Sequence, residues 1–222
     1  MRRVWARATP PSCFPPTAPS SSISNRGRTR APGAAARPSA EPMPRLVRPA
    51  MAFMPSYVEA LREGYTRDPL QPETPPIIDQ IERQAEWFVR LLAQPPHHVV
   101  LSDGSLGERT PETELWYVEG ETFLGSISVR PKLDEALEAW GGHVGYTVRP
   151  SARGQGHASA MLAAMLDHIG ETLPLDRVTL TVHLDNPASM RVIEKNGGAV
   201  RDEVDHPWIE GLRGRRYWIA LR

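Results

Sequence analysis

The sequence predicts an α/β domain in which helices flank a sheet, and three neighbouring stretches carry this prediction. Residues 143–148 (HVGYTV) form an extended apolar run. Residues 158–169 repeat apolar side chains at steps of three, four and seven, as an amphipathic helix does. Residues 177–183 (RVTLTVH) alternate strictly, which indicates a half-buried strand. A strand, a glycine-containing turn, a helix and a second strand together predict a βαβ unit.

The elements before this unit are two helices and a hairpin. Apolar spacing predicts a first helix over residues 57–65, with Ser56 as its cap. A second helix is predicted over residues 77–94, where Pro95 and Pro96 stop it. Two extended runs at residues 114–118 and 122–129 enclose a turn at Glu119 and Gly120, which indicates a hairpin.

The elements after the unit are a short helix and two extended runs. Asn186 is a favoured N-cap residue, and Pro187 suits the first helical position because it lacks an N–H. Gly197 and Gly198 supply the left-handed exit from this helix. Extended runs at residues 199–204 and 216–221 follow, and no internal repeat is visible.

Charge divides the 222-residue chain into two unlike parts. Residues 1–42 carry seven arginines and one acid, for a net charge of +6, whereas residues 43–222 carry −6. The first part is rich in Pro, Ser, Ala and Arg without apolar periodicity, so we expect a disordered leader before a domain at residues 43–222. Two further interpretations stay open: an organelle transit peptide, and a gene-model extension with translation starting at Met43 or Met51.

Composition also excludes several classes. A single cysteine, Cys13, rules out a disulfide framework and favours a reducing compartment, so we expect a cytoplasmic protein. The seven histidines lack the spacing of a metal site, so no metal is expected. No apolar run approaches the roughly 20 residues that span a bilayer, and the arginines of the leader lack interleaved aromatic residues. We therefore expect neither a membrane nor a nucleic-acid partner.

The turn at residues 149–156 has the features of an anion site. Gly154 and Gly156 let the backbone approach a ligand closely, Arg149 and Arg153 add positive charge, and a helix start presents free N–H groups. A purely structural turn is the alternative. A dinucleotide fingerprint is a weaker interpretation, because Asp185 follows later than the expected distance of about 20 residues. A Walker loop is excluded because no Gly-Lys-Ser or Gly-Lys-Thr follows the glycines.

Two linked segments resemble the GNAT acetyltransferase superfamily. VRPSARGQGHASAML is similar to its acetyl-CoA-binding motif, and LDNPASMRVIEKNGG to the motif that follows, with a strand between them. The likeness extends roughly over residues 43–222. Within the superfamily, the chain most resembles an uncharacterised bacterial branch of predicted acetyltransferases. It implies a single domain with a mixed sheet that splays between its fourth and fifth strands. It also implies acetyl transfer from acetyl-CoA to a primary amine by direct attack in a ternary complex.

The resemblance further implies roles for individual residues. The acceptor that the resemblance implies is a small-molecule amine or a protein N-terminus. The resemblance also allows a homodimer. The backbone from Tyr146 to Val148 is expected to pair with the pantetheine arm, with Thr147 and Val148 nearest the thioester, and Asn186 and Ser189 to lie near the arm. Beside the charge of Arg149, the residues expected to wrap the pyrophosphate are Arg153, Gly154, Gln155, Gly156, His157 and Ala158.

The catalytic acid and base are less defined. Many family members place a tyrosine where this chain has Ile193, which cannot donate a proton. Another residue or water must reprotonate the thiolate; otherwise the protein is a non-catalytic acyl-CoA-binding sensor. Our candidates for the base are His183 and His143, and Tyr146 lies on the strand that the resemblance turns toward the acceptor.

Aromatic and basic residues give two further expectations about the acceptor. Trp116, Tyr117 and Trp140 either line a pocket for it or belong to the core. The resemblance places the loop around Trp208 over the active site. Three arginines of that region either hold an acidic acceptor or are solvated, namely Arg213, Arg215 and Arg216.

Overall fold

The chain folds into two antiparallel sheets packed with helices. The computed structural model describes residues 43–100 and 104–221. The helices in this part are α1 (Met54–Arg62), α2 (Pro75–Arg83), α3 (Ala85–Ala93), α4 (Glu135–Ala139), α5 (His157–Thr172) and α6 (Pro187–Lys195). The strands are β1 (Arg45–Val47), β2 (His98–Val100), β3 (Leu106–Glu108), β4 (Thr113–Glu119), β5 (Thr122–Val129), β6 (Val144–Val148), β7 (Arg177–His183), β8 (Ala199–Asp205) and β9 (Arg213–Ala220). Short 3-10 turns occupy Met51–Phe53 and Pro150–Ala152.

The two main sheets separate between β6 and β7. One sheet has the order β1-β4-β5-β6 and the other the order β7-β9-β8, while β2 and β3 form a small ribbon. Every pairing between these strands is antiparallel. A single isolated bridge, between Gly142 and Leu180, joins the two sheets in the described part of the chain. The splay that the resemblance implies is therefore present at β6 and β7.

His143 holds the closed end of this splay. Its N–H donates to the carbonyl oxygen of Thr179 at 2.7 Å, and its Nδ1 accepts the N–H of Thr179 at 3.0 Å. Gly142 allows this approach, because a Cβ there would lie 2.3 Å from the same carbonyl oxygen. The imidazole of His143 thus accepts the Thr179 N–H in place of a backbone carbonyl, and β6 and β7 diverge beyond this point.

Two apolar cores lie on opposite faces of the first sheet, because side chains alternate along a strand. Trp116 and Val118 of β4 pack among α1, α2 and α3, where the Trp116 ring stacks on Tyr57 at 4.7 Å. Leu115 and Tyr117 point the other way, into the core that α5 and α6 share with both sheets. This second core fixes the start of α5 against the end of β6.

The structure confirms most of the expected elements and corrects two of them. The hairpin of β4 and β5, helix α5, strand β7 and the Asn186-capped α6 are all present. The predicted helix over residues 77–94 is wrong as one element, since Gln84 leaves helical geometry (φ −118°, ψ 33°) and separates α2 from α3. Ser56 is not a cap; it lies inside α1 and accepts the N–H of Phe123 at 3.1 Å. The expected leader, residues 1–42, lies outside the described residues.

Candidate active site

The turn between β6 and α5 presents backbone N–H groups to solvent. Gly154 and Gly156 have φ of 77° and 87°, and nothing lies within 4 Å of a Cβ placed on either. Helix α5 begins without a side-chain cap. Within the described part of the chain, no protein acceptor meets the N–H groups of residues 154–159. These free donors at a helix N-terminus form a cradle for an anion.

The two arginines of the turn have different surroundings. Arg149 is buried, and its guanidinium donates to Glu63 through Nε at 2.9 and 3.0 Å and through Nη2. Its Nη1 donates to Ser56 Oγ at 2.9 Å. The expectation that Arg149 holds a phosphate therefore conflicts with its placement. Arg153 is exposed, and its Nε donates to the carbonyl oxygen of Val148 at 3.2 Å.

The other side chains of the turn contribute little charge. Gln155 is exposed and its Nε2 donates to the carbonyl oxygen of Ser151 at 3.1 Å. The ring of His157 lies edge-on to Tyr117, with 6.1 Å between centroids. Ala158 is half-buried in the first turn of α5. These residues bring backbone donors to the cradle, and Arg153 is its one guanidinium without a carboxylate partner among the described residues.

The edge of β6 that faces β7 carries backbone groups that do not bond to β5. Arg130 N–H donates to His143 O and Arg149 N–H donates to Leu124 O, both at 2.8 Å. In an antiparallel pair the bonded residues alternate, so the odd-numbered residues of β6 bond to β5. The N–H and C=O groups of Tyr146 and Val148 consequently point into the splay.

Thr147 departs from the expected backbone pairing. It lies opposite Ser126, and the same alternation directs its N–H and C=O toward β5. The side chain of Thr147 instead lines a cleft on the other side of the strand. Of the three residues expected to pair with a pantetheine arm, Tyr146 and Val148 are thus placed to do so through their backbone.

Helix α6 closes the splay opposite β6. Asn186 Oδ1 accepts the N–H of Ser189 at 3.0 Å, so this side chain acts as the helix cap. The hydroxyl of Tyr146 crosses the splay and donates to the carbonyl oxygen of Ser189 at 3.3 Å. Burial raises the pKa of Tyr146, which keeps the phenol protonated at neutral pH. A protonated hydroxyl therefore lies between β6 and the first turn of α6.

Ile193 belongs to the core. Its side chain is fully buried, and a Cβ on Gly198 would lie 2.3 Å from its Cγ2. The helix therefore turns this position toward α5, and no space is left there for a phenol. The proton donor that many family members carry at this position is absent, as expected.

A cleft of about 1470 Å³ opens on the face of β6 that carries Thr147. Trp140, His183, His206 and Trp208 all line it. Trp116 and Tyr117 belong instead to the two cores, so only Trp140 of the three expected aromatic residues reaches this space. The loop with Trp208 borders the cleft.

Carboxylates outnumber guanidinium groups in the cleft. Arg67 pairs with Glu114 at 2.5 Å and Arg130 with Glu112 at 2.7 Å, so both cations are neutralised. Three further acids line the cleft: Asp68, Glu73 and Glu210. Oε2 of Glu73 is buried, and no residue of the described part of the chain forms a hydrogen bond with it. The cleft thus carries unbalanced negative charge.

The three arginines near the C-terminus are all occupied. Arg213 pairs with Asp205 at 3.3 Å and with Glu203 at 3.4 Å. Arg215 also pairs with Glu203, at 2.7 Å, and Arg216 pairs with Asp202 at 2.6 Å. These pairs cross the β8–β9 ladder, so they stabilise the sheet and do not form a site for an acidic acceptor.

The three histidines at the splay have distinct surroundings. Nδ1 of His143 accepts the N–H of Thr179, and burial lowers its pKa. His183 lines the cleft with its ring edge-on to Trp140, at 5.4 Å between centroids. His206, which the sequence analysis did not single out, is buried and accepts two backbone N–H groups at Nδ1. His143 therefore bridges the two sheets through its side chain, and no hydrogen bond within the described residues engages the imidazole of His183.

Comparison with known proteins assigns the family. The model of the acetyltransferase (GNAT) domain matches residues 69–199, more than half of the chain, and the chain belongs to this family. No curated protein matches it. The fold resembles that of the microcin C7 self-immunity acetyltransferase MccE in complex with acetyl-CoA and AMP (TM-score 0.53, 13% identity, 80% of this chain and 92% of that one).

Two further solved structures share the fold. RimL, the ribosomal L7/L12 alpha-N-protein acetyltransferase in complex with coenzyme A, has a TM-score of 0.54 at 14% identity, over 80% of this chain and 94% of that one. An acetyltransferase from Salmonella typhimurium that modifies the N-terminal serine of L7/L12 has a TM-score of 0.55 at 14% identity, over 81% and 95%. At such identities the likeness concerns the fold alone.

The family defines the activity. The protein is an acetyl-CoA-dependent N-acetyltransferase, which moves the acetyl group to an amine, and the sensor alternative is not favoured. No helix within residues 43–100 and 104–221 is long and apolar enough to cross a membrane. This part of the chain also brings together no group of three His, Cys, Asp or Glu side chains suited to a metal ion.

Proposed function

We propose that the splay between β6 and β7 holds acetyl-CoA, with its pyrophosphate on the turn at residues 149–156. The observation that carries this proposal is a continuous row of backbone groups that are not bonded to a neighbouring strand. The donors and acceptors of Tyr146 and Val148 on the open edge of β6 lead directly to the N–H groups of the α5 start. Arg153 adds a charge-assisted donor at the junction, provided that its side chain leaves the carbonyl oxygen of Val148.

The residues around the splay divide the proton transfers between them. Bound acetyl-CoA supplies a thioester whose carbonyl carbon is attacked by the amine. His183 removes a proton from the acceptor amine, directly or through water, since its imidazole lines the acceptor cleft and is not fixed by a backbone bond. Tyr146, whose hydroxyl lies beside the first turn of α6, donates its own proton to the leaving sulfur, and the resulting phenolate regains a proton from solvent. Tyr146 thereby takes the role of the tyrosine that many family members have at the position of Ile193.

The charge of the cleft favours a positively charged acceptor. Asp68, Glu73 and Glu210 remain after the two ion pairs are formed, and the buried Oε2 of Glu73 lacks a partner. A buried carboxylate oxygen without a donor is unfavourable, so an ammonium group that reaches Oε2 of Glu73 gains a charge-assisted bond. We infer that the acceptor is a primary amine with a second cationic group, either a small diamine or a protein N-terminus followed by a basic residue.

The release of coenzyme A thiol with a panel of amines tests this proposal. The panel contains 1,4-diaminobutane, glutamate, and serine-initiated peptides with either lysine or glutamate at the second position. We expect the diamine and the lysine peptide to be acetylated at least tenfold faster than their acidic counterparts. Glu73→Gln should raise the KM for the cationic acceptors, and Glu171→Gln, on the exposed face of α5, should not. Preference for the acidic acceptors would contradict the proposal.

A further inference from the structure

His206 organises the loop that borders the acceptor cleft. Its Nδ1 accepts the N–H of Trp208 at 3.1 Å and the N–H of Ile209 at 3.0 Å. The backbone N–H of His206 donates to the carbonyl oxygen of Leu212 at 2.7 Å. One residue therefore closes the loop between β8 and β9 through both its backbone and its side chain.

The protonation state of His206 follows from these bonds. Because Nδ1 faces two N–H donors, its lone pair must be free, and the proton of the neutral imidazole belongs on Nε2. Burial lowers the pKa of His206, and the neighbouring His183 lowers it further when charged. Both effects keep the ring in the neutral form that accepts the two N–H groups.

The ring is also held from the side of the sheet. Its centroid lies 4.5 Å from that of Trp140 and 5.6 Å from that of Trp208. Trp140 is itself fixed against β9, since a Cβ on Gly214 would lie 2.6 Å from its Cη2. The loop is thus anchored through His206 to the wall of the cleft that also carries His183.

The anchored loop presents large apolar side chains to the cleft. Trp208 and Ile209 are each 40% exposed, although apolar residues of this size are usually more deeply buried. Leu70, 49% exposed, belongs to another segment that lines the same cleft. These side chains suit the hydrocarbon portion of an amine acceptor, since apolar contact removes their surface from water.

We propose that His206 is a positioning residue for the acceptor: it holds Trp208 and Ile209 as an apolar wall against the carbon skeleton of the amine. This inference rests on the proposed function, because it takes the cleft as the acceptor site. His206 takes no part in proton transfer. Its loss should therefore weaken acceptor binding without altering the use of acetyl-CoA.

Steady-state kinetics of His206→Ala and His206→Asn test the inference. The Asn side chain provides a carbonyl oxygen that accepts N–H groups two and three residues later, as in an Asx turn. We expect His206→Ala to raise the KM for the acceptor at least tenfold, with the KM for acetyl-CoA and kcat changed less than threefold. His206→Asn should restore the acceptor KM to within threefold of wild type. His97→Ala, at an exposed position, is the matched control.

Hydrogen exchange of the Trp208 and Ile209 amides gives a second readout that needs no acceptor. Exchange should accelerate at least tenfold in His206→Ala and return toward the wild-type rate in His206→Asn. Equal exchange in wild type and His206→Ala, an unchanged acceptor KM in His206→Ala, or failure of His206→Asn to restore it would overturn the inference. A wild-type protein that prefers acidic acceptors would instead contradict the proposed function, while the exchange rates would still report on the anchor.

Discussion

Arg149 and Glu63 form an ion pair that ties the turn at residues 149–156 to helix α1. The Arg149 guanidinium donates to both carboxylate oxygens through Nε, at 2.9 and 3.0 Å, and Ser151 Oγ donates to Glu63 Oε2 at 2.8 Å. Glu63 follows the last residue of α1, and Arg149 follows the last residue of β6. The pair thus fixes the junction between the end of β6 and the turn at residues 149–156.

Replacing Arg149 should lower stability more than it changes chemistry. In Arg149→Ala the carboxylate of Glu63 and the hydroxyl of Ser56 both lose a donor. We expect a loss of about 2 kcal/mol in the free energy of unfolding, the range for a partly buried, charge-assisted network. Arg153 is solvent-exposed and bonds to the carbonyl oxygen of Val148. Arg153→Ala should therefore leave stability unchanged but raise the Kd of acetyl-CoA. Urea denaturation measures stability and calorimetric titration measures the Kd. A loss of stability in Arg153→Ala together with unchanged stability in Arg149→Ala would contradict the placement of these residues.

The same pair should make stability sensitive to acid. The hydrogen bond from Arg149 holds the pKa of Glu63 at about 2, below its ordinary 4.5. A carboxyl group with a lowered folded-state pKa stabilises the fold above its unfolded-state value, and this contribution is lost as pH falls from about 4.5 to about 2. The unfolding free energy of Glu63→Gln should therefore change less than that of wild type across this window. Parallel pH profiles for the two proteins would refute the role of the pair.

His143 and His183 should respond differently to substitution. In His143→Ala the N–H of Thr179 loses its acceptor at the junction of the two sheets, and we expect a cost of about 1–2 kcal/mol in unfolding free energy. His183→Ala should leave stability nearly unchanged and lower kcat at least 100-fold, the lower range for loss of a general base. Chemical denaturation and thiol-release kinetics separate the two roles. A larger kcat loss in His143→Ala than in His183→Ala would reverse the assignment.

The pKa of His143 gives a further test of its structural role. Burial lowers this pKa below 6.5, so the unfolded chain binds the proton more tightly than the folded protein does. The stabilising contribution is present above the unfolded-state value and is lost as pH falls through the folded-state value. The stability difference between wild type and His143→Ala, measured by denaturation at a series of pH values, should shrink below about pH 6.5. A difference that grows on acidification would contradict this account.

Local patterns in the sequence predict the elements that border the proposed cofactor site. The spacing of Gly154, Gly156 and the apolar face of α5, and the Asn186–Pro187 start of α6, depend on short-range backbone and capping preferences. The resemblance to the family, and not local reasoning, marks Ile193 as a position without the usual proton donor. These features are encoded within single segments, so the fold class and the anion cradle follow from the sequence.

The partners of individual side chains do not follow from local patterns. Arg149 meets Glu63 across 86 positions of sequence, and His206 contacts Trp140 only because β9 brings them together. The break at Gln84 has no proline or glycine to signal it. Three-dimensional packing decides which arginine pairs with a carboxylate and which histidine bridges the two sheets, and residue types alone leave these choices open.

Thermal unfolding with and without acetyl-CoA tests the central claim, that the turn at residues 149–156 holds the cofactor. The proteins to compare are wild type, Gly156→Glu and Gly197→Glu, since both glycines have positive φ and open space at the Cβ position. Saturation at about 100 times Kd should add roughly 2.7 kcal/mol to the stability of wild type and Gly197→Glu. The carboxylate of Gly156→Glu should abolish this gain. No stabilisation of wild type, or equal stabilisation of Gly156→Glu, would contradict the account.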